Sequence, residues 1–233
     1  MSLLELTRLR GGYTEVDIVH GIDLSVGEGE IVTIAGTNGA GKSTLVKALL
    51  GLLPRVDGDI RLQGRSLNAM SAEDRFYAGL AYVPQVANVF PSLTVRENLL
   101  VVRGVADVRR RMDAVLVDFP ALAERLSQPA GNLSGGERQQ LAFARALMPA
   151  PRVMVLDEPT AALSPTLVAK VFEMVRKLPA AGVTVLMVEQ RARQALAISS
   201  RGYILDQGTC VLHGEAQALL ADERMAQLYL GTH

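Results

Sequence analysis

Glu30-Ile31-Val32-Thr33-Ile34-Ala35 runs into Gly36-Thr37-Asn38-Gly39-Ala40-Gly41-Lys42-Ser43-Thr44, and this stretch decides how the chain folds. An apolar strand, a loop with glycines at 36, 39 and 41, and a helix from Lys42 give the context that G-x-x-x-x-G-K-[ST] requires of a phosphate-binding loop. Such a loop curls so that successive N–H groups face phosphate oxygens, and the new helix adds its positive end. Lys42 is placed to reach β- and γ-phosphates. The Ser43 hydroxyl is placed to ligate Mg²⁺, an ion that takes a few protein oxygens beside phosphate and water. A Gly-rich strand-to-helix turn with an incidental lysine would not be expected to fit at every position.

Working outward, the first third reads as strands, Leu3 to Leu9, Ile18 to Val26, Glu30 to Ala35, and Asp59 to Leu62 after an Asp57-Gly58 turn. One helix interrupts them, Lys42 to Leu50, with Leu45, Ala48, Leu49 and Leu52 on one face. From Ser92 to Met148 the spacing is helical. Beyond Pro151 the order is strand (Val153 to Leu156), helix (Pro165 to Leu178), strand (Val183 to Val188) and helix through Leu196. A hairpin turning at Asp206-Gln207-Gly208 and a terminal amphipathic helix follow.

Composition bounds the rest. The chain has 233 residues with 24 basic and 24 acidic side chains, so bulk positive charge that would hold nucleic acid is missing. A single cysteine, Cys210, rules out an internal disulfide framework and fits a reducing compartment. Mean hydropathy is +0.22, yet the apolar runs are strand-sized, far short of the roughly 20 residues of a membrane span. Charges at Glu5, Arg8 and Arg10, with no apolar run before a cleavage site, give no sign of a secretory leader.

Two further motifs carry chemistry. Val153-Met154-Val155-Leu156-Asp157-Glu158 is an apolar strand ending in two carboxylates: Asp157 suits a Mg²⁺ held through water, and Glu158 suits polarising an attacking water. Leu133-Ser134-Gly135-Gly136-Glu137 opens a helix running to Met148, so a second Gly-containing turn offers N–H groups and a hydroxyl at a helix start. With the other two motifs, it resembles the signature of ABC-type ATPases. The resemblance covers nearly the whole chain and is nearest to the LivF-like subunits of branched-chain amino acid importers. Gly79-Leu80-Ala81-Tyr82-Val83-Pro84-Gln85 with Phe90-Pro91-Ser92-Leu93-Thr94-Val95, Ala130-Gly131-Asn132, Val188-Glu189-Gln190 and Tyr229-Leu230-Gly231 carry that likeness.

The resemblance implies an α/β fold: a P-loop NTPase (RecA-like) core with an N-terminal antiparallel β-subdomain, over 1–87 and 151–233, and an inserted α-helical subdomain over 88–150. It implies ATP and Mg²⁺ as ligands, held in part by Gly36 to Thr44. Tyr13 would stack on adenine, Gln85 would touch Mg²⁺ or water and report to a membrane partner, and Ser134, Gly135 and Gly136 would clamp the γ-phosphate bound to the opposite subunit. Gln190 stands where many members have a switch histidine; a glutamine amide hydrogen-bonds phosphate but carries no proton near neutral pH. Ala161-Ala162-Leu163-Ser164 lacks the commoner terminal aspartate of the D-loop. Expected partners are a second ATPase subunit, identical or not, two permease subunits and, indirectly, an external solute-binding protein, with no nucleic acid, at the cytoplasmic face of the membrane. Urea or short-amide import, a lipid exporter and a non-transport ATPase are the alternatives. Arg109-Arg110-Arg111 reads as a solvated helix face, and Asn88, Val89 and Phe90 as exposed docking candidates.

Overall fold

The computed structural model describes residues 2–86 and 88–225. Strands β1 (Ser2–Gly12) and β2 (Val19–Gly27) pair antiparallel, and β3 (Ile31–Gly36) leads through the phosphate loop into α1 (Lys42–Leu49). Next come β4 (Arg55–Leu62), β5 (Arg65–Ser66), α2 (Ala72–Tyr77) and β6 (Leu80–Val83). A helical stretch follows: α3 (Val95–Leu100), α4 (Val108–Leu116), α5 (Pro120–Ala123) and α6 (Gly135–Leu147). Then come β7 (Val153–Asp157), α7 (Pro165–Lys177), β8 (Thr184–Glu189), α8 (Ala192–Leu196), the hairpin β9 (Arg201–Asp206) and β10 (Thr209–Glu215), and α9 (Ala216–Ala221).

Two sheets result. One is antiparallel, in the order β2-β1-β4-β5; the other has the order β10-β9-β3-β8-β7-β6, parallel except for β10 at its edge. The central strands β3, β7 and β8 are buried at every position and mostly apolar because both faces are covered. On β7, Met154 and Leu156 pack with the helical stretch and α7, whereas Val153 and Val155 pack toward α1 and the antiparallel sheet. On β8, Val185 and Met187 alternate with Leu186 and Val188 in the same way.

Two arginines add donors to the carbonyls at helix ends, where intrahelical partners run out. Arg75, only 4% exposed, donates to Ala48 O and Leu49 O at the end of α1 (3.0 and 2.6 Å). Arg111 donates to Leu147 O and Met148 O at the end of α6 (2.6 and 3.2 Å), so one member of the Arg109-Arg110-Arg111 run is a cap and not a solvated charge.

The structure departs from the sequence expectations in other places. Asp57-Gly58 lies inside β4, where β1 bulges at Arg8-Leu9 opposite Gly58: Arg10 pairs with Asp57 and Thr7 with Asp59, with Arg8 at φ 49° and Gly58 at φ 99°. A Cβ at Gly58 would sit 2.7 Å from two β1 carbonyls, which is why the residue is glycine. β1 runs past Leu9 through Gly11 and Gly12, so the connection to β2 begins at Tyr13. The first third also holds α2, capped by Ser71, whose hydroxyl accepts the Asp74 N–H. Val89 is buried, leaving Phe90 as the exposed apolar residue there. The β9–β10 hairpin turns at Gln207-Gly208 as expected, both with positive φ. Tyr229-Leu230-Gly231 and the end of the terminal helix lie outside the described residues.

Candidate nucleotide site

The site grows from the carboxyl ends of β3, β7 and β8, adjacent strands of the parallel sheet, where such folds hold their ligands. A cavity of about 910 Å³ opens there, lined by Asn38 to Thr44 on one side and by Gln85, Glu158, Thr160 to Ala162 and Glu189 to Arg191 on the others. Gly41 caps α1 at φ 93° with no side-chain acceptor, so the first N–H groups of this helix need partners from outside it. By contrast α3 and α6 are closed by full capping boxes.

Lys42 spans the loop, its ammonium donating to Gly36 O and Thr37 O, each at 2.9 Å. Its Nζ is also 3.8 Å from Glu158 Oε1. Burial pulls the Lys42 pKa below the ordinary lysine value, against the pull of Glu158, Asp157 and Glu189 in the other direction. Burial likewise holds Glu158 above the ordinary carboxylate value; Lys42 opposes this, while Asp157 and Glu189 add to it. Gln85 Nε2 donates to Glu158 Oε2 at 2.9 Å, so this carboxylate sits between an amide and an ammonium. Its backbone is at φ 46°, with its N–H on Val188 O of β8.

Asp157, at the end of β7, accepts the Ser43 hydroxyl at 3.3 Å and the Tyr82 hydroxyl at 3.1 Å. The sequence alone does not mark Tyr82 as a functional residue; only its place on a strand beside β7 exposes the role. Burial and the neighbouring Asp157 charge push its phenol pKa up, so it stays a donor. Serine hydroxyl, aspartate carboxylate and glutamine amide supply only oxygen donors around the phosphate loop, a set that fits Mg²⁺.

Except for Gln190, the remaining sequence candidates lie apart from this cavity. Tyr13 is 46% exposed, and Lys47 of α1 donates to its hydroxyl at 2.9 Å, which ties the ring to the phosphate-loop helix. Ser134, Gly135 and Gly136 do not line the Lys42 cavity; Ser134 and Gly136 border a separate one of about 270 Å³ against α7. Glu137 closes the α6 start by accepting the Ser134 N–H at 2.8 Å, and Arg125, absent from the sequence reading, pairs with it at 2.8 Å. Gln190 Nε2 donates to Asn38 Oδ1, bridging the cavity from β8 to the phosphate loop.

Fold and site together define a P-loop NTPase with an added antiparallel sheet and a helical segment bearing a second glycine turn. Residues 19–161 match the ABC transporter family, and the chain belongs to that family as an ATP-binding ATPase. Over 232 residues it is 40% identical to the high-affinity branched-chain amino acid transport ATP-binding protein BraG of Pseudomonas aeruginosa, covering 98% of this chain and 100% of that one. It is 33% identical to the lipopolysaccharide export system ATP-binding protein LptB of Escherichia coli, over 99% and 98% of the two chains. The crystal structure of MJ1267, an ATP-binding cassette of an ABC transporter in its ADP conformation, aligns at TM-score 0.88 and 26% identity over 99% of each chain. The likeness to branched-chain amino acid transport subunits, read from four short stretches, thus extends over the full length.

Proposed function

We propose that this chain is the ATP-hydrolysing motor subunit of an importer for branched-chain or other hydrophobic amino acids, working at the cytoplasmic face of the membrane. The observation that carries the reading is the full-length 40% identity to BraG. Among the described residues no helix is long and apolar enough to cross a membrane, so the translocation path would belong to two permease subunits. A groove of about 660 Å³ between β6, α2 and α6, rimmed by exposed Tyr77, Phe90 and Val101, is the surface offered to them.

In this reading the N–H groups of Gly36 to Thr44 cradle the phosphates, Lys42 neutralises their charge, and Tyr13 stacks on the base. Ser43, Asp157 and Gln85 would hold Mg²⁺, which would supply positive charge to offset that of the phosphates. Glu158 orients and deprotonates the attacking water, and Gln190 hydrogen-bonds the γ-phosphate. Ser134, Gly135 and Gly136 serve the nucleotide of the opposing ATPase subunit, consistent with their place outside this chain's own phosphate cavity.

The identity to LptB favours a second reading, the ATPase of a lipid exporter. Tagging the chain in its native cell, extracting membranes in mild detergent and identifying what co-purifies separates the two. Two permeases with a second ATPase, stimulated by an external amino acid-binding protein, support import. Envelope-spanning lipid-transport partners would replace it with export, binding proteins for urea or short amides would change the cargo, and recovery with ribosomes or DNA would end the transport reading.

A further inference from the structure

Glu189 ends β8 at 1% exposure, beside a cavity built for a polyanion. A buried carboxylate is costly unless every oxygen is hydrogen-bonded, and one beside phosphates also repels the ligand. None of the ion pairs among the described residues includes it. Four donors hold it instead. Oε1 accepts the Thr160 N–H at 3.0 Å and the Thr160 hydroxyl at 2.7 Å; Oε2 accepts the N–H groups of Gln190 and Arg191 at 3.1 and 3.4 Å.

These donors come from opposite sides. Thr160, fully buried, begins the turn after Glu158 that reaches Ala162, an alanine held at φ 57°, where L-residues are disfavoured. Gln190 and Arg191 begin the loop that reaches Asn38 through the Gln190 side chain. A neutral threonine or serine at position 189 would lack the second acceptor oxygen and serve one loop only.

We propose that Glu189 is a positioning residue whose carboxylate locks the Glu158–Ala162 turn to the Gln190–Arg191 loop, so that the water-activating side and the γ-phosphate side of the cavity adopt their working arrangement together. The inference rests on the roles given above to Glu158 and Gln190. A shift of the Ala161-Ala162 turn on meeting an opposing subunit then moves Gln190 as well.

The test uses the full assembled transporter. In Glu189→Gln an amide N–H₂ faces N–H donors on one side and the lock opens. The expected result is a kcat at least tenfold lower with ATP affinity, read by fluorescent nucleotide, changed less than threefold. Thr160→Val should reproduce the loss and Thr160→Ser should restore the rate. Adding Glu189→Gln to Gln190→Ala should slow turnover less than twofold further. Unchanged kcat in Glu189→Gln, multiplicative losses in the double variant, or kcat, ATP affinity and melting temperature falling together in both Glu189→Gln and Thr160→Val would overturn the proposal. Should Glu189→Gln not fold, the Thr160 pair decides. Full turnover in a Glu158→Gln control would instead overturn the base assignment while leaving the Thr160 and Gln190 comparisons to judge the lock.

Discussion

Gly208, at the tip of the β9–β10 hairpin, donates its N–H to Ala40 O in the phosphate loop at 3.1 Å, and its own carbonyl accepts the His20 N–H at 2.8 Å. The loop is therefore held by a segment far away in sequence, and that segment is itself tied to β2 through His20. Gly208 is at φ 77°, and a Cβ there would lie 1.9 Å from Ile18 O. The left-handed backbone alone costs an alanine about 1–2 kcal/mol, and the overlap adds to it. Gly208→Ala is expected to lower the melting temperature and weaken ATP binding together, as scanning fluorimetry with and without ATP will report.

Lys42 and Glu158 touch the same cavity but should fail differently. Lys42→Ala removes the cation that spans the loop and should weaken ATP binding more than tenfold. Glu158→Gln keeps the shape and removes the base, so affinity should hold while kcat falls by about 10²–10⁴. Equilibrium nucleotide binding and single-turnover hydrolysis on the assembled complex distinguish the two losses; parent-like hydrolysis by Glu158→Gln would contradict the role given to Glu158.

Acid should silence the enzyme earlier than an ordinary carboxylate would predict. Burial holds Glu158 above 4.5, and a base works only when deprotonated, so the acid limb of the kcat–pH profile should lie above that value. The stability sign is opposite. A raised carboxylate pKa means that the folded chain holds the proton more tightly than the unfolded one, so this group's contribution is present at low pH and lost as pH rises through its folded pKa. Urea midpoints of nucleotide-free Glu158→Gln, measured against the parent, should therefore improve with rising pH.

Phe90 stands at the groove rim, with the Arg145 guanidinium carbon 4.5 Å from its ring centroid. Burial lowers the Arg145 pKa, and its Nε is buried without an acceptor. Phe90→Asp places a carboxylate on the rim, remote from the phosphate loop. Detergent co-purification of permease partners should drop at least tenfold while ATP affinity of the isolated chain stays unchanged; equal capture would remove this groove from the docking surface.

Much of the site is legible in the sequence itself. The phosphate loop, the strand ending in Asp157-Glu158 and the Ser134 turn are local patterns, and each stands in its expected strand or helix context. Relationships between distant segments are not. β6 is a four-residue strand whose identity depends on pairing with β7, and Tyr82 gains its role only through Asp157 on that neighbour. α2 is too short to display a helical period, although Ser71 and Asp74 mark its start. Gly58 signals a left-handed backbone equally well for a turn or a bulge, and only the β1 register separates them. Glu189 reads as the polar end of an apolar run; its burial depends on Thr160, on another strand's loop.

β3, which carries the phosphate loop, pairs with nothing near it in sequence: Ile31 sits against Val185, and Val32 against Arg201. During synthesis at about 5–20 residues per second, the ribosome needs roughly ten to thirty seconds after making this strand before both flanks exist. Until β8 emerges, shortly before that interval ends, Val32 and Ile34 have no neighbouring strand of their sheet, and the nascent chain carries a phosphate loop without its flanks. A chain that stops short of the β9–β10 hairpin therefore leaves one side of β3 unpaired and the Ala40 carbonyl without its Gly208 donor.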